Sequence, residues 1–322
     1  MNRRHFLQQS GLITTSAFSA PYIFPQSLGS ATGAAAKKRK FTMSLDPGAI
    51  GVEADQQQLI KYAAEYGFEA VTPFPDFLAG LSDDQRSELL KDMQQKKIVW
   101  GVAGLPVQFR TDDDTFRTDM KALPRLAKGL QQAEVSRVST WIMPNHAELN
   151  YLKNFKQHAD RLGEIGRVLA DHNLRLGLEY VGPKTLRDAN KYAFVHTLEE
   201  TQSLIEETRQ SNIGVVLDSF HWFTAEEDVK DILTLSNKEI VACDLNDAYK
   251  GRTALEQVDG QRELPLATGI IDAKGYLEAL ITIGFDGPVR AEPFNQKLRD
   301  MPDKQAVATT AEAMKEAFNL VS

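Results

Sequence analysis

The sequence predicts an α/β fold, a single (β/α)8 TIM barrel, on three observations. Short apolar runs alternate eight times with segments of helical period, and strict strand–helix alternation implies a parallel sheet. The alternation fills residues 37–322 without a linker or low-complexity stretch, about the length of one barrel. Four successive runs in the second half each end in a carboxylate, at the strand ends where barrel active sites lie. The rival is an open doubly wound sheet. Nothing after the first run resembles its Gly-rich phosphate turn, because Asp46-Pro47-Gly48 is only a turn.

The N-terminal segment reads as an address rather than as structure. Arg3 and Arg4 precede Phe6-Leu7, a weakly apolar stretch runs over 11–24, and Ala34-Ala35-Ala36 offers a small-residue cleavage site. This order resembles a twin-arginine export signal over residues 1–36, and the expected location is the periplasm. No acid precedes Asp46, and no cysteine precedes Cys243, so a lipoprotein anchor is excluded. Losing the segment removes two arginines and takes the net charge from −7 to −9.

Strands are expected over 41–45, 68–73, 98–101, 138–143, 174–180, 213–218, 240–244 and 289–292. Between them, Leu59/Ile60/Ala63, Phe116/Met120/Leu123/Leu130 and Val229/Ile232/Leu233 recur on single helical faces. The last helix is the clearest, with Val307, Ala311, Met314, Phe318 and Val321 on one stripe. Ser82…Gln85, Thr197…Glu200 and Thr224…Glu227 fit the capping box. Gly284 suits a helix C-cap before the turn Asp286-Gly287-Pro288. Two connections are long, 181–196 and 249–271, and long loops in compact domains usually carry function.

Composition narrows the function. An acidic body whose one basic cluster is Lys37-Lys38-Arg39-Lys40 is a poor match for a phosphate backbone, so no nucleic acid partner is expected. A single cysteine precludes an internal disulfide and a Cys-rich zinc motif. After the N-terminus no apolar run approaches the ~20 residues of a membrane helix. The sequence leaves a homo-oligomer open.

The four acids are Glu179, Asp218, Asp244 and Glu292, each closing an apolar run. Two carboxylates ~4 Å apart repel by about 4 kcal/mol at an effective dielectric near 20. Convergent acids therefore call for a cation, and oxygen donors suit Mg²⁺ or Mn²⁺. Basic side chains are the other compensation. By strand alternation Arg290 faces inward one layer below Glu292, with Gly177 and Ala242 leaving it room.

Glu179, Asp218-Ser219-Phe220-His221, Asp244-Leu245-Asn246-Asp247-Ala248 and Glu292-Pro293-Phe294 together resemble the xylose isomerase-like barrels. The resemblance spans the chain after residue 36, and its more specific parts are Asp218-x-x-His221 and the Phe285-Asp286-Gly287-Pro288 approach to the last strand. It implies one divalent metal held by Glu, Asp, His and Glu from strands five to eight. Glu179, Asp218 and Glu292 match three of these positions. The strand-seven position usually carries His in a His-x-Asn-Asp pattern; this chain has Asp244 there, and Asp244 is expected as the fourth metal ligand, making the set all-carboxylate. The resemblance makes Glu179 and Glu292 the acid/base pair and His221 a substrate contact. His146, after strand four, is a second candidate contact. His158, His172 and His196 are read as surface. Trp141, Trp222 and Phe220 are candidates for apolar walls around a sugar ring.

The chemistry expected is proton abstraction beside a carbonyl, giving an isomerase or epimerase of a small-molecule sugar or cyclitol with a bound Mn²⁺ or Mg²⁺. The alternative is a lyase or dehydratase on a keto-sugar or 3-keto-glycoside at the same site. Lys184, Arg187, Lys250 and Arg252 in the long loops leave room for an anionic group on the substrate, with Lys250 the leading contact. A non-catalytic sugar-binding protein would need neither metal nor paired acids. DNA repair, also found among such barrels, fits neither the acidic charge nor the few strand-end histidines.

Overall fold

A computed structural model describes residues 38–321, and the expected export signal over 1–36 lies outside the described residues. Strand β1 (Thr42–Leu45) leads to α1 (Gln56–Tyr66), and β2 (Ala70–Val71) to α2 (Pro75–Ala79) and α3 (Asp83–Lys96). Next come β3 (Val99–Trp100), β4 (Ala103–Gly104), α4 (Asp113–Gln132), β5 (Arg137–Ile142), β6 (Asn145–His146) and α5 (Tyr151–Ala170). The second half runs β7 (Arg175–Tyr180), α6 (Lys184–Arg187), β8 (Tyr192–Ala193), α7 (Leu198–Thr208), β9 (Ile213–Asp218), α8 (Ser219–Thr224) and α9 (Val229–Ile232). It closes with β10 (Ile240–Asp244), α10 (Ala273–Ile283), β11 (Pro288–Arg290), α11 (Gln296–Arg299) and α12 (Asp303–Asn319).

Nine strands form one parallel sheet in the order β3-β2-β1-β11-β10-β9-β7-β5-β4. The two ends of that order, β3 and β4, are separated in the chain by Gly101 and Val102 alone. The third barrel strand thus changes neighbour, from β2 to β5, across those two residues. The sheet is a (β/α)8 barrel, as the alternation predicts. Gly101 suits this point, because a Cβ would fall 2.5 Å from Ser44 Oγ, on β1 beyond the adjacent β2.

Local chemistry explains most element ends. Ser82 and Gln85 form the expected capping box, and Gly284 ends α10 at φ 78°. Thr197 caps α7 through Glu200 N, while the Glu200 carboxylate accepts from His196 N instead. The box expected at Thr224…Glu227 does not form. Thr224 is the last residue of α8 and its hydroxyl donates to Phe220 O, so Asp228 with Asp231 caps the next helix. The α12 stripe of Val307, Ala311, Met314 and Phe318 is buried as expected. Leu233 is exposed, because α9 stops at Ile232.

Register places the inward side chains. Trp141 pairs with Glu179, Asp218 with Asp244, and Asp244 with Arg290. Alternate residues share a face, so Glu179, Asp218, Asp244 and Arg290 all point into the barrel near its C-terminal mouth. Glu292 sits two residues past β11 rather than at its end, on the segment that leads into α11. Both long connections carry structure. Residues 181–196 hold α6 and β8, and β8 pairs antiparallel with β6. Residues 249–271 hold a short 3-10 turn, and Thr185 Oγ1 of the first loop donates to Gln257 O of the second.

Candidate active site

Oxygens of Glu179, Asp218, Asp244 and Glu292 lie within 4.8 Å of one another. Glu179, Asp218 and His221 form an overlapping group at the same spacing. Asp218 and Asp244 are fully buried, and Glu292 retains 14% side-chain exposure toward the mouth.

Local backbone and one amide fix the carboxylates. Asp218 ends β9 and caps α8 by accepting from Phe220 N at 2.6 Å. Asn246 Nδ2 donates to both Asp218 oxygens at 3.1 Å, and its Oδ1 accepts from Glu292 N at 2.8 Å. One side chain thus sets the spacing between the β9 acid and the acid after β11. Asp247 is spent on the loop: its oxygens accept from the backbone N–H groups of Thr268, Gly269, Ile270 and Ile271.

Two arginines supply most of the compensating charge. Arg290 donates from Nε and Nη2 to the two Asp244 oxygens, from Nη2 to Glu292 and from Nη1 to Asp46. This is the supporting position that strand alternation predicts. The second arginine, Arg262, comes from the 249–271 loop and is 2% exposed. Its Nη1 donates to Asp218 Oδ2 at 2.7 Å and Glu292 Oε2 at 3.1 Å, and its Nη2 to Asp259 Oδ1 at 2.7 Å. The rings of Phe220 and Phe294 lie on the guanidinium at 4.9 and 4.8 Å.

Burial raises the acids. It lifts Glu179 well above the usual carboxylate range, with Glu292, Asp244 and Asp218 adding to it. Burial also lifts Glu292 to about 8 and Asp244 to about 6, even against Arg290. Burial and Arg262 depress His221 to about 4, so its imidazole is neutral near pH 7. Arg262 is held above its ordinary value: burial lowers it, but Asp218, Asp259 and Glu292 outweigh burial.

The cluster fits a divalent cation. Glu179 Oε1 is buried with no hydrogen-bond partner while facing other carboxylates. Four carboxylates share two arginines that also pair with Asp46 and Asp259, so the cluster keeps an excess of acid, and the donors are hard oxygens. Asp244 belongs to the cluster, but Arg290 takes both of its oxygens, and donors also reach both oxygens of Asp218 and of Glu292, whereas Glu179 Oε1 takes none.

The other expected residues fall elsewhere. His146 Nδ1 accepts from Glu148 N and Leu149 N, shaping the turn before α5. Lys250 is exposed on its loop and is not part of the cluster. His158 is buried, not on the surface as expected: Nδ1 bonds Asn154 O and the ring packs against Phe109 and Phe194. Phe220 and Trp222 are buried, whereas Trp141 is 39% exposed, with Arg110 stacked on it at 4.1 Å. Sequence reasoning missed Arg262, Asp259 and Asp46. The length of the 249–271 loop pointed to that segment, but no spacing distinguishes Arg262 from Arg252.

A closed barrel with convergent acids at its C-terminal mouth has the architecture of a barrel enzyme. The chain belongs to the xylose isomerase-like TIM barrel family, whose profile matches residues 60–317. An inosose isomerase of Bacillus subtilis is 26% identical over 52% of this chain and 56% of its own length. A 3-dehydroshikimate dehydratase of Pseudomonas aeruginosa is 29% identical over 45% of this chain and 22% of its own. The chain therefore spans about half the isomerase and about a fifth of the dehydratase. A xylose isomerase domain protein from Alicyclobacillus acidocaldarius superposes with a TM-score of 0.76, at 25% identity, covering 87% of this chain and 99% of that one. At the family level the relatives are isomerases, epimerases and dehydratases.

Proposed function

We propose that the protein is a divalent-metal-dependent isomerase or epimerase acting on a sugar or cyclitol beside a carbonyl. The observation that carries this reading is Glu179, a buried carboxylate with an unpartnered oxygen, in one cluster with the second glutamate, Glu292. Glu179, Asp218 and Glu292 would hold the ion, with Mn²⁺ or Mg²⁺ favoured by their oxygen donors. When bound, the ion supplies Lewis-acid polarisation of the substrate's oxygens.

The chain's own groups do the proton chemistry. One glutamate takes the hydrogen beside the carbonyl as a proton, and the C–H electrons pass into the new C=C bond while the carbonyl oxygen gains charge. The other glutamate returns a proton to the same carbon from the opposite face for epimerisation. For isomerisation the proton goes to the neighbouring carbon. Burial raises both groups, which brings each nearer to operating pH as an acid and base. Neutral His221 presents Nε2 toward the cluster, and Arg262 donates from beside it, so both suit a substrate hydroxyl or carbonyl oxygen. The open face of Trp141, in register with Glu179, suits the apolar side of a ring.

A second reading rests on the dehydratase relative: after the same abstraction a β-hydroxyl or aglycone leaves with the electron pair. Proton NMR of keto-sugars and inososes incubated with the enzyme separates the two, because isomerisation conserves composition and elimination releases water or an aglycone. The reading also places the enzyme outside the cytoplasm, exported by residues 1–36, where unphosphorylated substrates prevail. Its partners are small-molecule sugars.

A further inference from the structure

We propose that Arg262 competes with the divalent ion for Asp218 and Glu292, so that metal occupancy and the docking of the 249–271 loop oppose each other. The inference rests on the metal-site reading above. Arg262 Nη1 already lies on Asp218 Oδ2 and Glu292 Oε2, one oxygen from each of two proposed ligands. Asp218 Oδ2 also accepts from Asn246, and Oδ1 accepts from both Phe220 N and Asn246. With Arg262 in place, each Asp218 oxygen takes two donors. A cation entering beside Glu179 Oε1 meets a second positive charge on the same acceptors.

Arg262 is also held against an inconsistency. Its Nη2 points at His221 Nε2 at 3.0 Å, while Gly182 N–H points at His221 Nδ1 at 3.3 Å. An imidazole accepts at one ring nitrogen when neutral and at neither when charged, so the ring never satisfies both donors. Besides the two acids it shares with the ion, Arg262 holds Asp259 on its own loop through Nε and Nη2, the Glu292 carbonyl at 3.3 Å, and the Phe220 and Phe294 rings. The loop backbone is tied to the barrel on both sides of the arginine: Thr185 donates to Gln257 O, Arg262 N to Pro293 O, Asn295 Nδ2 to Arg262 O, and the N–H groups of 268–271 to Asp247. Releasing the Arg262 guanidinium from the acids removes one of these ties, so residues 259–262 loosen while the others hold.

Coupling of this kind is reciprocal. If Arg262 weakens the ion, the ion loosens Arg262 by the same factor. Two measurements test this on the full chain after export processing, stripped of metal. Equilibrium dialysis against Mn²⁺ should show the Kd falling at least tenfold in Arg262→Gln and little in Arg262→Lys, which keeps the charge. Amide exchange of residues 259–262 in the unsubstituted protein should quicken with Mn²⁺, while the strand amides slow. An unchanged or weaker Mn²⁺ affinity in Arg262→Gln overturns the proposal, and so does unchanged or slower exchange at 259–262. If Arg262→Gln does not fold, amide exchange alone decides. Binding by neither protein takes the metal-site reading down as well, whereas equal binding by both removes only the competition.

Discussion

Arg290 lies one residue layer beneath the barrel mouth and grips both oxygens of Asp244, at 2.5 Å from Nε and 3.1 Å from Nη2. The pair sits in register on adjacent strands, so an acid at residue 244 has a partner built into the sheet. This gives a physical reason for an acid where the family resemblance implies histidine: the side chain serves the internal charge network.

Breaking that pair from one side should be costly. Asp244→Asn leaves a buried guanidinium short of a charge, and the expected loss is about 3–5 kcal/mol. Replacing both, as Asp244→Asn with Arg290→Met, should cost less than the sum of the two single changes. Urea unfolding of the four proteins measures the coupling, and simple additivity would show that the pair is not a unit.

Asn246 should matter beyond its own bonds. It spans Asp218 and Glu292 N, so Asn246→Ala frees both acids from their fixed spacing. A group that orients ligands in this way typically accounts for 10–100-fold in metal affinity. Dialysis against Mn²⁺ should show a loss of that order, and wild-type affinity in Asn246→Ala would contradict the role.

The raised acids set a pH dependence of stability. Glu292 titrates near 8 in the folded chain against 4.5 when free, so folding favours its protonated form. The stability it contributes is complete below about pH 4.5 and is lost as pH rises through about 8. The metal-stripped protein should thus melt at falling temperature from pH 5 to pH 8. Glu292→Gln should flatten that fall, and so should saturating Mn²⁺. An equally steep fall in the Gln variant would move the cause elsewhere.

Export is read from residues 3 and 4. Arg3→Lys combined with Arg4→Lys should leave the protein in the cytoplasm when the cells are fractionated. Normal export of that variant would refute the signal.

The barrel was legible because its signal is repetitive: eight alternations with matching caps outweigh errors of two or three residues at strand ends. The acids were legible because each closes an apolar run, a local pattern. Arg290 followed from strand alternation alone. Arg262 was not legible, since its place among the acids depends on how a 23-residue loop folds back, which no periodicity encodes. Asn246 lay within the motif carrying the resemblance, yet its role needs the Glu292 backbone, 46 residues away. His158 was misread as surface because a histidine on a helix carries no sign of the Phe109 and Phe194 rings that enclose it.

The central claim is that Glu179 and Glu292 move a proton at a carbon beside a carbonyl. Incubation of the Mn²⁺-loaded protein in deuterated water with a panel of ketoses and inososes tests it most directly, with deuterium at the α-carbon read by NMR. Deuterium should enter one substrate with the unsubstituted protein, and exchange should drop by about 10²-fold or more in Glu179→Gln and in Glu292→Gln, each folded as the parent. Exchange that persists at the parent rate in either variant would contradict the assignment of that glutamate.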